Sequence, residues 1–374
     1  MATDWEKITR EAQEQLEEYA PLLLDADQLS AFSRGIASGE IGPHSNLYPT
    51  DPQPVGEEAV DVLDGLPAAE RERLGALGRS ALAAGEVAVA VLNGGMATRF
   101  GGRVKGVVEA VTGLSFLEIK LAQAQREYAL PFVIMNSFAT DAATRAFLSK
   151  RGLLDQVSIC LQRASIRLTP QGDAFRDPSH ADPGKLSLYA PGHGDFPGAL
   201  RDTGLIASLA ERGVRAIQLS NVDNLGAEPD PVIVGYHLDR EVDLTCEVAA
   251  VAPGDAGGTP ARVGDRVEVV EGFRFSRDFD FGRLKYLASN TFLFSLDVLR
   301  EPHPLTWFYV EKTVGSERVV QMERLVNELS SRAPTAFLAT PRGGPTGRFF
   351  PVKSPADLEA LQADPDLVQR FSRV

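Results

Sequence analysis

The sequence predicts an α/β protein: a doubly wound, mostly parallel sheet with an N-terminal helical leader and a β-hairpin insertion. Three observations carry that expectation. Residues 87–92, VAVAVL, form a nearly all-apolar run, the composition of a strand buried on both faces of a parallel sheet. From there onward, short apolar runs alternate with helical patterns, as strand–helix–strand units do. The polar clusters fall just after the apolar runs, where open α/β sheets bind their ligands.

Size and composition set the frame. At 374 residues the chain fits one large α/β domain with appendages. We divide it into a leader (1–84), a main domain (85–340) and a short C-terminal segment (341–374). Hydrophobic residues at 44% and charged residues at 24% exclude a disordered or fibrous chain. Lys and Arg number 38 against 51 Asp and Glu, and the net charge of −13 disfavours nucleic acid and anionic membranes as partners. Anionic small molecules remain possible, since they need only a local pocket. Cys160 and Cys246 lie in apolar runs and read as buried thiols of a reducing compartment. The start, MATDWEKITR, lacks the basic and apolar regions of a signal peptide. No apolar run approaches the roughly 20 residues of a membrane span. A cytoplasmic protein is expected.

The elements follow in order. Residues 5–24 carry Ile8, Ala12, Leu16, Tyr19 and Leu22 on one helical stripe, with an acidic opposite face. Helix continues to about residue 38, and a Gly/Pro-rich connector spans 42–54. A helical pair over 60–84 leads into the strand at 87–92. Helices are expected at 116–128, 140–150 and 204–212; strands at 132–136, 157–161, 216–220, 244–250 and 288–295. Residues 257–275 alternate and turn like a hairpin. Residues 319–332, apolar at Val319, Met322, Leu325, Val326 and Leu329, read as a helix. A last helix covers 355–363.

The chemistry concentrates at four strand ends. After Leu92 come Asn93, Gly94, Gly95, Thr98, Gly101, Gly102 and Lys105. Glycines there let backbone N–H groups turn toward an anion, and a nearby cation can follow a phosphate through reaction. The same residues also fit a tight turn on a solvated loop. It is neither a P-loop nor a dinucleotide fingerprint. In APGHGDFPGAL, His193 lies between Gly192 and Gly194, which permits close approach of a flat base or a phosphate. In AIQLSNVDNLG a buried strand delivers Asn221, Asp223 and Asn224 to its carboxyl end. Asp223 either caps the next helix or supplies the hard oxygen that Mg²⁺ takes beside a triphosphate. Asp141, in MNSFATDAATRAFL, reads as a first-turn or capping acid of the following helix.

Taken together, LNGGMATRFGGRVKG, MNSF, PGHGD, SNVDNLG and RFFPVK resemble, in matching order over residues 87–361, the nucleotide-sugar pyrophosphorylases. The similarity is to their UTP–glucose-1-phosphate uridylyltransferase branch. Ala97, Val104, Ala256 and Phe292 depart from its usual pattern. The resemblance implies a Rossmann-like nucleotidyltransferase type A fold. It implies that Leu92, Asn93, Gly94, Gly95, Gln162, Gly192 and Gly194 hold the nucleotide. His193, Asn221, Asn224, Glu247, Gly258 and Asn290 would hold the sugar phosphate. Asp223 would be the Mg²⁺ ligand, and Lys105, Lys353 and Arg99 would act on the phosphates, with Arg342 a weaker candidate.

The implied reaction makes UDP-glucose and pyrophosphate from UTP and glucose 1-phosphate by in-line attack. Alignment and charge neutralisation suffice for it, without a covalent nucleophile. Two alternatives stand beside it: a UDP-N-acetylglucosamine or broad-range UDP-sugar pyrophosphorylase, and an inactive nucleotide-sugar-binding regulator. Eukaryotic members of the family continue into a C-terminal β-helix used in oligomerisation. Its lack here leads us to expect a monomer or weak dimer.

Overall fold

The computed structural model describes residues 3–96, 102–178 and 182–373. An eight-stranded sheet forms the centre. From edge to edge its strands are Asp61–Val62, Thr335–Ala339, Leu244–Ala250, Tyr286–Ser295, Ala216–Asn221, Val87–Leu92, Phe132–Asn136 and Ser158–Leu161. Neighbours run parallel except Tyr286–Ser295, which is antiparallel to both strands beside it. The expected doubly wound, mostly parallel sheet is therefore present.

Alternation sorts the apolar run onto two layers. Val87, Val89 and Val91 enter one core, while Ala88 and Ala90 enter the other. Helices Ala68–Ala83, Phe116–Gln125 and Pro231–Arg240 cover the first face; Phe196–Asp202, Leu205–Glu211 and Leu296–Arg300 cover the second. Each fully buried valine contributes on the order of 1.5–3 kcal/mol, so strand position is fixed by burial on both sides. Cys160 and Cys246 are both buried and unbridged, as expected, and burial raises both thiol pKa values.

Chain order creates the binding crevice. From Val87–Leu92 the chain steps outward to Phe132–Asn136 and Ser158–Leu161, then returns to add Ala216–Asn221 on the other side. Leu92 is in register with Asn221 and with Met135, and Asn136 with Leu161. Four carboxyl ends thus finish level, and the direction of winding reverses between two of them. Ligands bind at such a reversal because the following loops diverge there.

Several elements differ from expectation. Residues 319–332 are not a helix: Glu317–Glu323 is a strand paired with Phe308–Val314, followed by a 3₁₀ turn at Val326–Ser331. Within that strand Val319, Val320 and Met322 form a short buried run that periodicity cannot tell from a helix segment, and pairing with a segment just upstream decides the outcome. Residues 60–84 hold one α-helix, Ala68–Ala83, after a strand, Asp61–Val62, that extends the central sheet and a single 3₁₀ turn, Leu63–Gly65. The leader helix stops at Leu16, where Glu17 takes a left-handed φ of 53°, and a 3₁₀ turn carries the chain to Leu22. The hairpin Gly258–Val263/Arg266–Glu271 forms as expected and gains Gln53–Pro54 as a third strand. Residues 1–84 are thus not purely helical. The described leader helices bury Trp5, Leu16, Leu29 and Phe32 against Ile166, Leu168, Tyr309, Val320 and Met322.

Candidate active site

A cleft of about 1360 Å³ opens over the carboxyl ends of the central strands. Leu92, Asn93, Gly94 and Gly95 form part of its wall. The carbonyl of Leu92 accepts from Val222 N–H at 3.2 Å, which ties together the two strand ends at the reversal.

Gln162 bridges two glycine loops. Its Oε1 accepts from Gly95 N–H at 3.2 Å and its Nε2 donates to Gly192 O at 3.2 Å. A Cβ on Gly94 would drive into Gln162 Oε1. At Gly192, φ is 102°, and a Cβ would meet the carbonyl of Arg324. Backbone packing therefore requires glycine at Gly192, whereas a side chain at Gly94 would displace the Gln162 amide from its bridge. His193 lines the cleft between these loops and the 324–326 segment. Its Nδ1 accepts from Val326 N–H at 3.0 Å, which fixes the Nε2–H tautomer. Burial pushes the ring pKa down to about 4, so the imidazole is neutral near pH 7 and acts as a hydrogen-bonding group, not a cation.

The charged centre lies at the reversal. Lys105 Nζ donates to Asp223 Oδ2 at 2.9 Å and to Val352 O at 2.8 Å. Asp223 is 7% exposed, and both residues face the cleft. The bond to Val352 brings the C-terminal segment across the site, and Lys353 follows in the same wall. Arg99 lies outside the described residues.

Asn221 and Asn290 face the cleft as a pair, with Asn290 Nδ2 donating to Asn221 Oδ1 at 2.8 Å. Asn290 holds a left-handed φ of 55° beside an irregularity in strand pairing at Glu247/Val248. Asn tolerates that conformation better than most residues. Gly258 lines the same side.

Three expected residues do not reach the cleft. Glu247 is 1% exposed and receives Arg348 in two bonds, Nε to Oε2 at 2.6 Å and Nη2 to Oε1 at 2.8 Å. Burial works against the Arg348 cation, but the Glu247 carboxylate outweighs it and holds the guanidinium above its ordinary range. Asn224 is 1% exposed; its Oδ1 accepts from Phe350 N–H at 2.9 Å and its Nδ2 donates to Thr291 Oγ1. Gly194 donates to Arg324 O at 2.9 Å and packs against that backbone. All three brace the walls. Arg342 is paired with Asp255.

Other residues in or behind the walls carried no sequence signal. Lys120, fully buried, donates to Asn224 O at 3.1 Å and Ala227 O at 2.8 Å, and so holds the turn that follows Asp223. Burial pushes its ammonium down to about 7, against the pull of Glu228. Glu271, at the end of the hairpin, accepts from Asn327 Nδ2 at 2.6 Å on the cleft wall, and burial raises its carboxyl pKa. Leader residues 15–19 also line the cleft. A lysine in an apolar helix and a carboxylate in an alternating strand look like ordinary pattern residues until distant segments pack on them.

Among the described residues no three His, Cys, Asp or Glu side chains form a metal cage. A single carboxylate suits Mg²⁺ when substrate phosphates and water complete the shell. Asp223, beside a lysine and a glycine loop, fits that donor set.

The family described as UTP–glucose-1-phosphate uridylyltransferase matches residues 45–368. A probable UTP–glucose-1-phosphate uridylyltransferase of Schizosaccharomyces pombe is 28% identical over 305 residues, covering 75% of this chain and 59% of that protein. The enzyme of that name from Pyrus pyrifolia is 28% identical over 294 residues, covering 75% of this chain and 62% of its own length. The chain therefore spans about three-fifths of these curated relatives. Among solved structures, a UDP-glucose phosphorylase from Trypanosoma brucei superposes with a TM-score of 0.75 at 23% identity, covering 96% of this chain and 80% of that one. A Leishmania major UDP-glucose pyrophosphorylase variant in complex with UDP-glucose gives a TM-score of 0.71 at 24% identity, with coverages of 97% and 80%. These likenesses establish a shared fold. With the match of the family to most of its length, the chain belongs to the UTP–glucose-1-phosphate uridylyltransferase family.

Proposed function

We propose that this chain catalyses uridylyl transfer, making UDP-glucose and pyrophosphate from UTP and glucose 1-phosphate. The observation that carries the reading is the Lys105–Asp223 contact at the strand reversal, 2.9 Å long and lining the same cleft as the glycine loop. An oxygen of the sugar phosphate attacks the α-phosphorus of UTP. The new P–O bond forms as the bond to the bridging oxygen of the β-phosphate breaks, and pyrophosphate carries away the electron pair. The backbone around Gly94 and Gly95 receives the triphosphate. Lys105 neutralises charge that grows on the departing pyrophosphate, and Lys353 draws the sugar phosphate toward the α-phosphorus. Neutral His193 and the Asn221–Asn290 pair offer uncharged hydrogen-bonding groups to the sugar side. Asp223 would hold Mg²⁺, which when bound supplies charge neutralisation to the phosphate oxygens.

Pyrophosphate release from the purified protein, assayed over several nucleotides and sugar phosphates with and without Mg²⁺, tests the reading. It predicts Mg²⁺-dependent release that requires UTP and is fastest with glucose 1-phosphate. Faster release with N-acetylglucosamine 1-phosphate would change the sugar. Binding of UDP-glucose without any release would make the chain a nucleotide-sugar-binding regulator.

A further inference from the structure

Asp141 is not part of the cleft wall, yet it joins two residues that are. Its carboxylate, 3% exposed, collects three donors: Asn136 Nδ2 at 2.9 Å, Arg145 Nε at 2.8 Å and Tyr19 Oη at 3.3 Å. Asn136, fully buried, in turn accepts through Oδ1 from Asn93 Nδ2 at 2.8 Å. Tyr19 belongs to the leader and Asn93 to the glycine loop, and both face the cleft.

The direction of this relay follows from proton counting. A carboxylate only accepts, so Asn136 must turn its NH₂ toward Asp141 and its carbonyl toward Asn93. Asn93 must then present its own NH₂. Thr144 enforces the same choice, because its hydroxyl proton goes to Thr140 O at 2.7 Å and its oxygen accepts from Asn93 Nδ2 at 2.9 Å. The result is that Asn93 Oδ1 points the other way, beside Gly106, buried and with no hydrogen-bond partner among the described residues. An amide at position 141 could not satisfy all three donors, since its own NH₂ would oppose one of them. The loop is held to the same strand end by its backbone as well: Asn93 N–H donates to Met135 O at 2.9 Å, and Ser137 Oγ donates to Gly95 O at 2.6 Å.

We infer that Asp141 is a positioning residue for the nucleotide: through Asn136 it fixes which way the Asn93 amide faces in the anion loop. The inference rests on the uridylyl-transfer reading, in which this loop receives the triphosphate.

Calorimetric titration of the full chain with UTP tests it. Wild type should bind, and Asp141→Asn should bind about tenfold more weakly, the scale of one buried unsatisfied polar group. Glucose 1-phosphate KM should stay unchanged. Asn93→Ala should also weaken UTP binding, and Asp141→Asn added to it should cost nothing further, because the two act through one contact. A merely structural role would make the two losses add, and additive losses overturn the inference. So does wild-type affinity in Asp141→Asn. Should that variant not fold, Thr144→Val takes its place in the cycle with the same two outcomes. Absence of UTP binding by wild type overturns the nucleotide reading together with this one, whereas normal wild-type binding with an unaffected variant overturns this one alone.

Discussion

Lys105 Nζ lies 2.9 Å from Asp223 Oδ2, although 118 positions separate the two residues in the chain. One follows the glycine loop and the other follows the strand paired to it, so parallel register brings them together. The contact holds a cation and a carboxylate at the lip of a cleft, each partly satisfied by the other. A phosphate would compete for the lysine and a divalent cation for the carboxylate.

Asp223→Asn keeps the shape of the side chain but removes its charge. The variant should melt within a few degrees of wild type and lose roughly a hundredfold or more of Mg²⁺-dependent turnover. Parallel thermal melts and steady-state rates check both halves of this expectation.

The two lysines should separate kinetically. Lys105 acts on charge that develops only as pyrophosphate departs, so Lys105→Ala should lower kcat, by on the order of a hundredfold, more than it raises KM. Lys353→Ala should raise KM for glucose 1-phosphate and leave UTP affinity nearly unchanged. Loss of UTP affinity alone in Lys353→Ala would contradict this division of labour.

The Glu247–Arg348 pair predicts a stability effect. Both side chains are almost fully buried. Glu247→Gln strands the guanidinium away from water, which should cost about 3–5 kcal/mol in urea unfolding. Combining it with Arg348→Met should recover much of that loss, since no buried charge then remains.

His237 gives a pH dependence with a definite sign. It is 2% exposed, its Nδ1 lies 2.9 Å from Thr245 Oγ1, and burial pushes its pKa down to about 4. The unfolded chain, with a histidine near pKa 6.5, therefore binds the proton first as pH falls. The stability linked to neutral His237 is complete above about pH 6.5 and is lost as pH drops toward 4. The slope approaches about 1.4 kcal/mol per pH unit for this one proton. Urea unfolding between pH 7 and 5 should show a shallower slope in His237→Gln than in wild type.

What the sequence disclosed depended on how local the cause was. Val87–Leu92 and Phe132–Asn136 were legible because burial on both faces demands unbroken apolar runs. The glycine loop was legible because a Cβ at Gly94 has no room against Gln162. Glu247 was not: the resemblance placed it among the sugar-phosphate ligands, and only Arg348, 101 positions away, shows where its charge goes. The segment 319–332 failed for a related reason. The short buried run Val319, Val320 and Met322 can sit in a helix or in a strand, and the choice belongs to its partner Phe308–Val314. Tyr19 read as one member of an apolar stripe, while its hydroxyl ends on Asp141, 122 positions away.

The most direct test of uridylyl transfer is ³¹P NMR of the purified protein with UTP, glucose 1-phosphate and Mg²⁺. The account predicts that UDP-glucose and pyrophosphate resonances grow together in equal amounts as UTP declines, and that Asp223→Asn leaves UTP intact. Unchanged UTP with wild-type protein, or orthophosphate in place of pyrophosphate, would contradict it.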